Sequence, residues 1–330
     1  MNLSSSYMGL NLHSPLIVGA SPLSNNIDNI KKMEDAGASA VVLHSIFEEQ
    51  FSLEQRELNY HLSMTADVSA EAQSYFPEPD EYRSEPDEYL KLISDAKKSV
   101  NIPIIPSLNG TTPGGWTSFA KQFQEAGADA IELNIYYIPT SFEETPEQVE
   151  QTYLDILNQV KKVVSIPVAI KLAPYFSNFA HLANKLDNNG ADALVLFNRF
   201  LQPDIDLENL EVKPDIRLSH SSTNRLALRW IAILKNRIKS DLAATGGIHT
   251  GEDVLKLLMA GANATMLVSC LYKNGIGYIK QVEKEIVDWM TEHEYESVKQ
   301  MIGSMSQKNI PDSSAYERAQ YMKAIRNYKL

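Results

Sequence analysis

The chain has 330 residues, 44% of them apolar, and a formal net charge of −12. That balance argues against nucleic acid and anionic membrane surfaces as partners, so an anionic ligand would need a local cluster of positive charge. One cysteine, Cys270, rules out an intramolecular disulfide framework.

Residues 1–6 show neither the basic nor the apolar region of a secretory signal. No apolar stretch approaches the roughly 18 residues that span a bilayer, so a cytoplasmic protein is expected. Short apolar runs predict strands at 16–21, 40–44, 103–108, 130–134, 168–172, 193–198, 242–246 and 265–269. Helical patterns lie between them, near 25–36, 86–100, 116–127, 145–164, 178–190, 223–239 and 251–261. Thr145 followed by Pro146 reads as a helix start. A last helical region covers 274–302. A basic tail helix near 314–328 is expected to pack on the outside of the fold or on a partner, a homodimer being one arrangement.

One phrase recurs at the helix-to-strand junctions: Ala36-Gly37-Ala38-Ser39-Ala40, Ala126-Gly127-Ala128-Asp129-Ala130, Asn189-Gly190-Ala191-Asp192-Ala193 and Ala260-Gly261-Ala262-Asn263-Ala264. Glycine suits the left-handed position that ends a helix. Repeated helix–Gly–strand units predict an α/β fold, a single (β/α)8 barrel domain over 1–330. Its long loops follow strands two (45–85) and six (199–221), and both leave from the C-terminal rim where barrels place their chemistry.

Polar residues recur where the apolar strands stop: Ser21, His44, Asn109, Asn134, Lys171, Asn198, Thr245-Gly246-Gly247 and Ser269. Lys171, inside an otherwise apolar strand, is costly unless it faces an anionic or electron-rich partner. Removing such a lysine is expected to be near-neutral for folding. Gly246, Gly247 and Ser269 stand at the corner where barrels bind phosphate. The histidines show no metal spacing, and no Ser-His-Asp set can be assigned. His249 and His220 read as structural. A sugar-phosphate aldolase or isomerase using Lys171 as a Schiff base is a further reading of the same residues.

The segments 9–21, Glu132-Leu133-Asn134, 166–174 and 244–253 resemble the dihydroorotate dehydrogenases, over roughly residues 8–275 and closest to their soluble class. The resemblance implies an FMN-binding barrel that oxidises dihydroorotate to orotate in pyrimidine biosynthesis. It places Ala20 and Ser21 along the flavin ring and Lys171 at its pyrimidine end. It sets Gly246, Gly247 and Ser269 on the phosphate, and His44, Ser45, Asn109, Asn134 and Asn198 around the cofactor. Asn134, Asn198 and Ser74 would contact substrate. The family's catalytic loop carries cysteine or serine as base, whereas here Tyr137 occupies that position, within Asn134-Ile135-Tyr136-Tyr137-Ile138-Pro139. A phenol titrates near pH 10, which makes it a poor base at neutral pH. The family's lysine on strand two is His44, its loop asparagine is Ser74, the glycine before Ser269 is Val268, and a glycine-rich stretch is Leu218-Ser219-His220-Ser221.

The expected activity is therefore an FMN-dependent dehydrogenase with an altered catalytic loop. The alternatives are a flavin enzyme with another planar anionic substrate, or a flavin-binding barrel without dehydrogenase activity. The electron acceptor is unassigned: with one cysteine the chain cannot hold an iron–sulfur cluster, so such a centre would belong to another subunit.

Overall fold

The computed structural model describes residues 1–47, 85–110, 113–199, 202–215, 217–317, 321–322 and 325–326. The antiparallel hairpin β1 (Ser5–Tyr7) and β2 (Leu10–Leu12) comes first. Eight parallel strands follow: β3 (Leu16–Val18), β4 (Ala40–Phe47), β5 (Ile104–Asn109), β6 (Ile131–Asn134), β7 (Val168–Leu172), β8 (Ala193–Leu196), β11 (Asp241–Thr245) and β12 (Ala264–Leu267). They close into a barrel in that order, with β12 pairing back onto β3. Flanking helices are α1 (Ile27–Asp35), α2 (Glu85–Ser99), α3 (Pro113–Glu125), α4 (Pro146–Val163), α5 (Phe179–Asn188), α6 (Asn224–Leu234) and α7 (Gly251–Ala260). The fold is the expected (β/α)8 barrel.

The repeated phrase has a double purpose. Gly37, Gly127, Gly190 and Gly261 take φ of +98°, +98°, +86° and +132°, which reverses the chain after each helix. The polar residue two positions later then secures the start of the preceding strand. Ser39 accepts from the Ser14 backbone N–H at 2.8 Å, Asp129 from Ile104 at 2.7 Å, Asp192 from Val168 at 2.7 Å and Asn263 from Leu242 at 3.2 Å. Lys97 and Lys161, near the ends of α2 and α4, pair with Asp129 and Asp192 at 2.7 Å.

Strand alternation sorts the core into two clusters. Larger residues such as Leu43, Ile131, Leu133, Ile170 and Leu172 face the helices. The inner cluster is small: Ala40, Ala130, Ala169, Ala193, Ala243 and Ala264 pack with Tyr7 and Met8 of the first hairpin. These alanines leave room for the Tyr7 ring, which is buried.

Three differences from the sequence expectations stand out. The stretch after strand six is not simply a loop, because β9 (Gln202–Asp206) and β10 (Glu211–Asp215) form an antiparallel hairpin there. The helical region 274–302 is broken: α8 (Ser269–Asn274) precedes it, α9 (Tyr278–Glu292) carries most of it, and α10 (Val298–Met301) is one turn. Glu294, at φ +59°, makes the break. The tail begins with a short 3-10 turn at Ser313–Tyr316 and is helical at 321–322 and 325–326; the rest of the expected tail helix beyond 317 lies outside the described residues, as does Ser74.

Candidate active site

Lys171 is the second inward-facing position along β7, beyond Ala169 and level with Asn134 of β6 in the strand register. Its ammonium reaches Glu132 Oε1 at 3.3 Å, with only a tenth of the lysine side chain and a hundredth of the glutamate's exposed. Glu132 and Asn134 alternate with Ile131 and Leu133, so both point into the barrel. Burial raises the Tyr7 pKa well above its ordinary value, and the charges of Glu132 and Asp241 raise it further.

A β-bulge decides which side chain β4 contributes. Val42 pairs with Ile105 but Ser45 with Ser107, so one extra residue sits in β4. The bulge turns Ser45 inward, where its hydroxyl meets Ser107 Oγ at 2.8 Å. Ser107 donates to Glu132 Oε1 at 3.2 Å, Asn134 Nδ2 donates to Ser45 Oγ at 3.2 Å, and Asn198 Nδ2 donates to Asn134 Oδ1 at 2.5 Å. Four residues expected at the site, Ser45, Asn134, Lys171 and Asn198, therefore share one network. Asn109 pairs with Asn134 in the strand register and is buried. His44 stands edge-on to Tyr89 at 4.9 Å, its Nδ1 is buried without a partner among the described residues, and burial lowers its pKa.

Across the mouth lies a cavity of about 200 Å3, lined by Ala20, Lys171, Asn198, Arg199, Ser219, Gly246, Gly247 and Ser269, among others. Arg199 and Lys171 bring positive charge to this wall. Gly246 (φ +85°) and Gly247 (φ +74°) both need glycine's freedom. A Cβ on Gly247 would come within 2.4 Å of the Asn224 backbone nitrogen, whereas the space above Gly246 is open. Ser219 braces this corner: its hydroxyl accepts from the Gly247 N–H at 3.1 Å, its own N–H donates to Ser269 Oγ at 3.1 Å, and Lys273 donates to its carbonyl at 3.0 Å. Ser219 Oγ also lies 3.2 Å from His249 Nε2. Asp253, however, binds the His249 backbone N–H at 2.9 Å, a contact that does not orient the imidazole as a hydrolytic triad requires.

The family model for dihydroorotate dehydrogenase matches residues 81–290. The chain belongs to the dihydroorotate dehydrogenase family. It is 26% identical over 310 residues to a Thermoplasma volcanium protein named dihydroorotate dehydrogenase B (NAD(+)), catalytic subunit, covering 92% of this chain and 98% of the relative. Proteins of the same name from Thermoplasma acidophilum (27% over 311 residues, 92% and 98% covered) and Pyrococcus abyssi (26% over 306 residues, 89% and 96% covered) are similar. The chain is thus a dihydroorotate dehydrogenase-like oxidoreductase, of a family of flavoproteins that act on CH–CH bonds and are generally FMN-dependent. Among the described residues no helix is long and apolar enough to cross a membrane.

The residues present fit a flavin mononucleotide. The open space above Gly246, the glycine backbone at Gly247 and the Ser269 hydroxyl form a cradle suited to phosphate, with Arg199 on the cavity wall. Ser21 Oγ, beside Ala20, is buried and lacks a partner among the described residues.

Tyr137 stands apart from this network. Its phenol donates to Glu144 Oε2 at 2.6 Å and its ring packs against the outer cluster. The bond to Glu144 raises the Tyr137 pKa, with burial adding to it. Sequence reasoning missed Arg199, Ser107 and Ser219 as parts of the site and quoted Glu132 only within a motif. Period-two alternation could have found Glu132 and Ser107, each two positions before a predicted site asparagine.

Proposed function

We propose that the chain is a single FMN-binding barrel that oxidises dihydroorotate to orotate. The observation that carries this reading is the Glu132–Lys171 pair joined to Asn134 and Asn198 at the edge of a cavity with a glycine-lined phosphate corner. Gly246, Gly247 and Ser269 would hold the FMN phosphate, Ala20 and Ser21 would line its ring, and Lys171 would face its pyrimidine end. The flavin, when bound, supplies two-electron acceptance.

The chain's own residues supply orientation and charge. Lys171 stabilises negative charge that develops beside it, and a preorganised cation in a low-dielectric site does so strongly. Asn134 and Asn198 are fixed by each other and by Ser45, which leaves one amide hydrogen on each and the Asn198 carbonyl for a planar imide-like substrate. Arg199 offers a partner for a substrate carboxylate or for phosphate. Electrons would leave through a partner subunit, consistent with relatives named as catalytic subunits.

A second reading is favoured by one observation. Tyr137 donates a hydrogen bond to Glu144, which raises its pKa, and this suits a space-filling loop residue better than a base. On that reading the barrel oxidises a different planar anionic substrate. Incubation of the purified protein with dihydroorotate and an artificial dye acceptor, followed by chromatography, separates the two. Orotate in proportion to dye reduced supports the first; flavin present but no orotate supports the second.

A further inference from the structure

We propose that Glu132 is the positioning residue that organises both ends of this site: it holds the Lys171 ammonium beneath the cavity and fixes the direction of the amide chain that reaches the substrate end. The inference rests on the flavin reading for its effect on the cofactor, but its structural half stands without it.

The direction of the hydrogen bonds follows from chemistry. A carboxylate only accepts, so Ser107 must give its single hydroxyl proton to Glu132 Oε1. Ser107 Oγ can then only accept at its 2.8 Å contact with Ser45, so Ser45 donates. Ser45 Oγ, its proton spent, accepts from Asn134 Nδ2, and Asn134 Oδ1 accepts from Asn198 Nδ2. Every bond from Asn198 inward points toward one negative charge. A neutral residue that can itself donate removes the reason for this order and lets both asparagine amides reverse.

The same oxygen takes the Lys171 ammonium at 3.3 Å. Glu132 Oε2 is buried and has no partner among the described residues. A buried carboxylate with one empty oxygen depends on its cation, and that cation depends equally on it. The groups that face Glu132 are Tyr7 from the first hairpin and Tyr89 from α2, both with pKa raised mainly by burial, and Ser107 from β5, which donates to it. No second carboxylate among them can replace Glu132 in holding the charge on Lys171.

The test compares the wild type with Glu132→Gln, Glu132→Asp, Lys171→Met and the double variant Glu132→Gln/Lys171→Met. Binding of added FMN, read by fluorescence quenching, is measured first, and then the flavin reduction potential from about pH 6 to about pH 9. Glu132→Gln takes away the carboxylate that holds the Lys171 ammonium, so its flavin potential is expected to depart from the wild-type line. Glu132→Asp should restore that line, and the double variant should match Lys171→Met because no lysine remains to be displaced. In parallel, denaturant unfolding of the four variants is expected to show strong non-additivity, the double variant being more stable than the sum of the single losses predicts.

A Glu132→Gln potential that coincides with wild type at every pH, or additive unfolding losses, overturns the proposal. If no variant and no wild-type sample binds FMN, the flavin reading fails, and the unfolding cycle alone then decides whether Glu132 holds Lys171.

Discussion

At the β11–β12 end of the mouth, position is set by backbone. Gly246 and Gly247 hold left-handed conformations, and buried Asp253 gathers the His249 and Thr250 N–H groups, the Ser221 hydroxyl and the Asn224 amide. At the β6 end the chain leaves Asn134 on a stretch without regular structure, where Phe142 is fully exposed and Tyr137 is tied to Glu144 rather than to the network. One end is over-determined by a helix cap and a close backbone contact. The other is carried by side chains on a solvated loop. The comparison teaches that backbone fixes the glycine corner of this barrel, while the opposite side of the mouth is left to side chains on an irregular stretch.

The largest expected effect tests the charged floor that joins the two ends. Lys171→Met should lower the rate of flavin reduction by about 10²–10³-fold, measured by anaerobic stopped flow, because one preorganised charge is removed from beside the reacting group. The sequence alone suggested that losing a buried lysine would be near-neutral for the fold. The structure alters that expectation, since the variant strands the Glu132 carboxylate. A stability loss of about 3 kcal/mol follows, and adding Glu132→Gln should recover most of it. A rate within a few-fold of wild type would detach Lys171 from the chemistry.

The next concerns the rigid corner. Gly247→Ala puts a methyl group 2.4 Å from a backbone nitrogen at a positive φ, which should cost about 3 kcal/mol in denaturant unfolding. Gly246→Ala meets no atom, so it should cost only about 1–2 kcal/mol of backbone strain while weakening FMN binding. Equal unfolding losses for the two would mean that the corner is looser than its contacts imply.

On the loop side the effects should be small. Tyr137→Phe removes a hydroxyl bound to Glu144 and should change the rate by less than about threefold, with no change in pH profile. A large loss confined to low pH would make Tyr137 the base after all. The smallest expected effect is on stability against pH. Burial lowers the His44 pKa, and burial with Lys273 does the same for His249. Stability is then full above the unfolded value of about 6.5 and is lost as pH falls through the lower folded values. Thermal unfolding should therefore soften between about pH 7 and pH 5, and His44→Gln should flatten the slope by less than one proton's worth.

The barrel was legible in the sequence because its signals are local. A Gly-Ala phrase before an apolar run marks each junction, and all eight predicted strands take part in the closed sheet. Gly246, Gly247, Ser269 and Lys171 were legible for the same reason, lying at strand ends or inside an apolar strand. What the sequence hid depends on pairing across strands. The β4 bulge, which turns Ser45 toward Ser107, has no mark in Leu43-His44-Ser45-Ile46. The bond from Tyr137 to Glu144 joins residues seven apart on an irregular loop and follows no period. The Glu132–Lys171 pair needed the register of β6 on β7. The break at Glu294 falls in the polar run Thr291-Glu292-His293-Glu294, which carries neither proline nor glycine to mark a helix end.

The central claim is that a redox site with a preserved cofactor corner sits over the Lys171–Glu132 floor. Anaerobic titration of the FMN-loaded protein with dihydroorotate, following the visible flavin band, tests it most directly. The account predicts stoichiometric bleaching in the wild type and far slower bleaching in Lys171→Met. A flavin band that dihydroorotate leaves unchanged over hours, in a protein that binds FMN and is bleached by chemical reductant, would contradict it.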